Sequence, residues 1–265
     1  RTLAAYINDN LKIRGLEKVP DLNNLKFTDL SISRQRKFKN ISLKMIVLSE
    51  RTTDETKNDI FERINRGSDL LKDMEYRKGI YTGKFNDFIC QLAADERFKK
   101  LTPIAKWLEK RQEGEELLLR FFAFSEWYPK YSDSKGISKQ LDEYMRDKNA
   151  SFDDTMKKEM QHRFEITMDF VEKYYPYGFA KNEKARQVAR PYFEALSVGA
   201  YLALKDKENL SVSKEKAKLL LTDDKFITSV SGRYQTHRAK TIRTRIDYIK
   251  EGLLKYGEAV DCRKE

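Results

Sequence analysis

Apolar residues recur at helical spacing along most of the chain, with few turn signals between the helices they predict. Leu3, Ala4, Tyr6 and Ile7 place a helix over residues 2–9 with no capping residue before it. Residues 10–33 lose the periodicity and carry Pro20, Asp21, Asn23 and Asn24, which mark irregular, turn-rich chain. A short helix follows over 30–38, made basic by Arg34, Arg36, Lys37 and the adjoining Lys39. Residues 40–48 first alternate and then become uniformly apolar, the best strand candidate in the chain.

Beyond residue 84 the helical pattern is almost continuous. Phe85, Phe88, Ile89 and Leu92 define one helix, and 101–108 another. Residues 115–131 form the most hydrophobic helix: Leu117, Leu118, Phe121, Phe122 and Phe124 surround its axis, which predicts central burial. Glu115 and Glu116 suit the positive end of its dipole, and Pro129 ends or bends it. A short helix over 137–146 turns Leu141 and Tyr144 inward, and Ser151, with Asp153 and Asp154, opens a long one that runs to about Tyr174. The aromatic run from Tyr174 to Phe179 reads as a plug between helices rather than a base-stacking surface. Pro191 starts a helix whose Gly199, Ala200 and Ala203 predict close packing. Ser213 and the Thr222–Asp224 run open two more helices. The last, over 237–256, carries Ile242, Ile246, Ile249 and Leu253 on one stripe.

The stretch 53–77 is the one on which a site is expected. Thr52 and Glu55 have capping-box spacing; Ile60, Phe61 and Ile64 make an apolar stripe; Asn65-Arg66-Gly67 stops the helix, with Gly67 available for a left-handed cap. Arg63, Asn65, Arg66, Glu75 and Arg77 remain as polar groups at two adjacent helix ends, a set able to hold a phosphate or a nucleotide. The competing reading is a helical hairpin with a solvated charged rim. At the other end of the chain, Arg233, His237, Arg238, Lys240, Arg243 and Arg245 lie within 13 residues and offer a surface for DNA phosphates; a solvated helix face explains them equally well.

Charge sharpens the picture. With 53 Lys and Arg against 42 Asp and Glu, the net charge is +11, which points to polyanions, DNA or RNA ahead of an acidic membrane. Cys90 and Cys262 are far apart and form no Cys-x-x-Cys pair, and His162 and His237 are too few for a histidine-based metal site or an HNH centre. No apolar run reaches membrane-spanning length and no leader is visible, so a cytoplasmic protein without a membrane partner is expected. Gly-rich phosphate loops, Gly-x-Ser-x-Gly and His-Glu-x-x-His are missing. Because the chain starts at Arg1 inside a helical pattern, a further segment is expected ahead of it.

Phe61-Glu-Arg-Ile-Asn-Arg-Gly67, then Leu70 or Leu71, then Glu75-Tyr-Arg77, resembles the N-terminal family of GmrSD-type restriction endonucleases, with Ser68 where that pattern has a second glycine. The likeness continues through Tyr81–Phe88, Gly114–Ala123 and Tyr175–Phe179. It implies an α+β, mainly α chain: a truncated ParB/sulfiredoxin-like α/β part over residues 1–83 and a helical domain over 84–265. It also implies a DNA-directed role in phage defence or restriction, with a nuclease or other defence protein as partner and homo-oligomerisation left open. Members of the family hydrolyse nucleotides through an Asp-Gly-Gln-Gln-Arg motif, which would make an NTP with Mg the cofactor. That motif is not in this chain, and the HNH domain of fused members has no counterpart here. The carry-over is therefore confined to Arg63, Asn65, Gly67, Glu75 and Arg77, as groups orienting a pocket or its phosphates. Three function classes stay open: an NTPase or endonuclease, a non-catalytic DNA- or protein-binding module, and a helical adaptor whose charge is only solubilising.

Overall fold

A computed structural model describes residues 2–16, 19–42, 47, 56, 60, 71–231 and 237–259. The chain is mainly helical: the described residues contain thirteen α-helices and two strands of two residues each. It divides into two compact units, residues 1–59 and 60–265.

In the first unit, α1 (Thr2–Ile7) and α2 (Ile32–Lys39) flank irregular chain with one 3-10 turn at Pro20–Leu22. The unit is small, and aromatic contacts organise it. Tyr6 meets Phe27 and Phe38 edge-on, with ring centroids 5.7 and 5.5 Å apart. Ser31 caps α2, its hydroxyl accepting from the Arg34 N–H, and the Gln35 amide donates to the Thr28 and Leu30 carbonyls. These bonds fix which side of α2 faces inward. The strand expected over 40–48 falls mostly outside the described residues; Asn40, Ile41, Ser42 and Val47 are described and lie in no strand. Thr52, Glu55, Phe61 and Ile64 also lie outside them.

The second unit contains α3 (Asp73–Ile80), α4 (Lys84–Ala93), α5 (Glu96–Leu101), α6 (Lys106–Glu109), α7 (Glu113–Trp127), α8 (Ile137–Ser151), α9 (Asp154–Tyr174), α10 (Arg190–Asp206), α11 (Lys214–Thr222), α12 (Asp224–Val230) and α13 (Ala239–Tyr256). Because α3 packs on α7 and α8, residues 73–83 belong with the helices rather than with an N-terminal part ending at 83. The sequence places α7 at the centre, and it is: Leu117, Leu118, Leu119, Phe121, Phe122 and Ala123 are all fully buried. Close packing predicted from small residues is found where α10 crosses α13; a methyl on Gly199 would stand 2.7 Å from Ile249.

Several helix boundaries differ from expectation, two of them for a legible local reason. Pro103 splits 101–108 into α5 and α6. α8 runs on to Ser151, because the N-cap of α9 is Asp153, whose carboxylate accepts from the Met156 N–H at 2.7 Å. α13 starts at Ala239. A two-stranded antiparallel ladder, β1 (Leu210–Ser211) on β2 (Glu258–Ala259), ties the chain after α10 to the chain after α13.

Candidate functional site

Arg63, Asn65, Arg66 and Gly67 of the expected phosphate cluster lie outside the described residues. Glu75 and Arg77 are described, two residues apart on α3, and both are engaged by the protein. Glu75 accepts from the Lys72 backbone N–H at 2.8 Å and from Arg111 Nη1 at 2.9 Å, so it caps its own helix and holds the chain before α7. Arg77 is fully buried. Its Nε donates to Asp142 at 2.7 Å, Nη1 to Glu116 at 2.5 Å, and Nη2 to the Ser138 carbonyl and hydroxyl at 3.1 and 2.8 Å. Every nitrogen of this guanidinium serves the protein, so Arg77 anchors α3 to α7 and α8 and does not face a phosphate. The motif spacing that suggested a ligand is equally the spacing of a helix anchor.

Arg77 is one end of a chain of buried charges through the helical unit. Glu116 on α7 takes Arg77 on one oxygen and Arg120 Nε, at 2.7 Å, on the other; Arg190 from α10 stands 3.6 Å away. Arg120 Nη1 continues to Glu194 on α10 at 2.8 Å, and Glu194 holds Arg245 of α13. Arg190 also grips Glu113 with two bonds of 2.6 Å. Arg77, Glu116, Arg120, Glu194 and Arg245 are all nearly inaccessible, so four helices are joined through ions that have no water to fall back on.

Burial pushes the Glu116 carboxyl up, but Arg120, Arg77 and Arg190 together outweigh it and hold its pKa below the usual carboxylate value. At Asp142 burial wins over Arg77 and the pKa is raised. The two act in opposite senses on acidification. A depressed carboxyl stabilises the fold above its unfolded pKa and loses that contribution as pH falls through its folded one; a raised carboxyl becomes less costly as pH falls. Glu116→Gln is therefore expected to lose less melting temperature than the wild type between about pH 6 and about pH 3. Thermal melts of both proteins at the two pH values check this, and parallel losses would remove Glu116 from the acid response.

The six residues expected at a DNA-facing surface separate into three groups. Arg233 is outside the described residues. His237, Arg238 and Lys240 are exposed, and no described carboxylate pairs with any of them. Arg243 is half-buried, its Nη1 donating to the Tyr131 carbonyl at 3.0 Å, and Arg245 is buried against Glu194. Arg245 is thus corrected to a core residue. It sits three residues after Ile242 and four before Ile249, inside the apolar stripe, so helical periodicity already placed it inward. The first free N–H of α13, on Ala239, is satisfied by Asp133 at 3.1 Å, which places a carboxylate of the protein at the helix start.

The basic helix α2, not assigned to a site from sequence, is exposed along its outer side. Gln35 and Phe38 face inward, so Arg36 and Lys37 project outward with Ser33 between them on the surface. The three described carboxylates of this unit are already engaged: Asp9 with the Thr28 N–H, Asp29 with the Lys26 N–H, and Asp21 with Arg34 at 3.1 Å. Among the described residues no group of His, Cys, Asp and Glu is placed to hold a metal ion, and no helix is long and apolar enough to cross a membrane. Comparison with protein-family models, with curated proteins and with solved structures gives no match for this chain.

Proposed function

We propose that this is a DNA-directed protein of a restriction or phage-defence system that grips the phosphodiester backbone with exposed cationic helix faces. One observation carries the reading: Asp21 and Asp133, the carboxylates placed against these helices, are engaged in internal bonds, while four of the exposed cations are not. Arg36 and Lys37 on α2, and Arg238 and Lys240 at the front of α13, have no described acidic partner, in a chain of net charge +11. The restriction context comes from the resemblance of residues 61–77 and the segments after them.

The burial of Arg77 favours a particular form of this proposal, a DNA- or protein-binding module over an NTP hydrolase built on Glu75 and Arg77. Both side chains are occupied by Asp142, Glu116 and Arg111, and an NTP with Mg would have to be held by other residues.

Duplex binding followed by fluorescence anisotropy over a salt series tests the proposal. The log–log slope is expected to steepen by about 0.9 for each phosphate neutralised. Arg238→Glu with Lys240→Glu should flatten it by about 2, with the melting temperature unchanged because both side chains are exposed. Binding that ignores salt would end the proposal.

A further inference from the structure

Trp107 stands apart from the other aromatic residues. The chain has 31 Phe, Tyr and Trp residues, and of those described only Trp107, 60% exposed, and Tyr256, 37% exposed, reach solvent to a large extent. Tyr256 has the Lys255 ammonium over its ring, whereas no described ring or cation packs on Trp107. The short helix that carries the indole is anchored to the core. Leu108, next to it on α6, is buried, the Leu108 N–H donates to the Ala105 carbonyl at 2.8 Å, and α6 packs on α7. Arg111, just beyond, is fixed by Glu75.

Two lysines share its face. Lys110 keeps helical geometry at the end of α6, so Lys106 and Lys110 lie one turn apart, roughly 6 Å between Cβ atoms, with Trp107 beside them and Leu108 opposite. Both lysines are exposed and neither has a described acidic partner. An exposed π-face with two unpaired lysines at neighbouring helical positions has the composition of a platform for an unpaired base and its neighbouring phosphates. Tryptophan is common in protein–protein interfaces but lysine is depleted there, so it is the lysine pair that favours a polyanion over a protein partner. A membrane surface would call for further exposed apolar side chains, and α6 has none besides Trp107.

We infer that Trp107, Lys106 and Lys110 form a stacking platform for single-stranded nucleic acid. This rests on the nucleic-acid reading above and adds a strand state to it: the ring takes a base that a duplex keeps stacked and paired.

The test uses a short fluorescein-labelled oligo-dT and the matching duplex. Anisotropy measures binding, and tryptophan emission with unlabelled DNA reports contact with the ring. Oligo-dT is expected to quench the wild-type emission, and the duplex is not. Trp107→Ala should weaken oligo-dT binding by roughly 5- to 140-fold, with duplex affinity and melting temperature unchanged. Trp107→Phe should retain most of the affinity while the quenching disappears. If both DNAs bind by anisotropy but Trp107→Ala matches the wild type on oligo-dT, the platform is refuted and the backbone reading survives. No binding of either DNA overturns both. If Trp107→Ala instead dissociates a dimer seen in sedimentation, or abolishes binding to anionic vesicles, the ring belongs to a self-contact or a lipid surface and the inference fails.

Discussion

Glu116→Ala is expected to destabilise the helical unit by about 3–5 kcal/mol and to lower its melting temperature by on the order of 10 °C. The size follows from what is left behind. Arg77, Arg120 and Arg190 converge on this one carboxylate, and Arg77 and Arg120 are buried. Removing it leaves like charges facing one another without solvent, whereas removing an exposed partner such as Asp21 frees Arg34 into water and costs about 1 kcal/mol or less. Glu116→Gln separates charge from packing: it keeps the volume and is expected to retain most of the loss. Thermal and denaturant melts of Glu116→Ala, Glu116→Gln and Asp21→Ala give the comparison. A Glu116→Ala change no larger than that of Asp21→Ala would show that the network carries no net weight.

That network also explains where sequence reading succeeded and where it stopped. Periodicity located α7, α9, α10 and α13 and their apolar faces, because burial of a stripe is a local, repeating constraint. It identified Ser213 as a helix start and the Thr222–Asp224 run as another, within which Asp223 is the cap; in both a side chain and its target N–H are two or three residues apart. It could not see pairings set by tertiary packing. Glu116 reads from sequence as a dipole partner in a first helical turn; its actual partners, Arg77 and Arg190, are distant in sequence, while Arg120 is one turn away. Arg77 was legible as an important residue but not as a buried one, since a Glu-x-Arg spacing serves a ligand or a core carboxylate equally well. Arg245 is different: its position inside the Ile242–Ile249 stripe was available, and the count of nearby cations obscured it. Trp107 escaped notice because single exposed aromatic residues leave no periodic trace, and only accessibility separates them from core.

Gly178→Asn is expected to destabilise the helical unit markedly, and more through lack of space than through the φ of +57° at this glycine. Asparagine tolerates a positive φ better than alanine does, so the backbone contribution is small. A Cβ on residue 178 would stand 2.6 Å from the Leu101 carbonyl oxygen and 3.1 Å from its Cα, atoms with no rotamer to yield. The close approach exists because the Phe179 N–H donates to that same carbonyl at 2.8 Å, seating the aromatic turn against the end of α5. Phe179 is fully buried with its ring 4.6 Å from that of Phe193, and Tyr175 packs on Phe170, so displacing the turn opens the core behind it. The cost at Gly178 is on the order of 3 kcal/mol, and Gly178→Ala adds the left-handed penalty of about 1–2 kcal/mol. Melts of the wild type and of both variants decide the matter. A Gly178→Asn protein as stable as the wild type would mean that backbone conformation alone selects glycine at residue 178 and that the Leu101 contact yields freely.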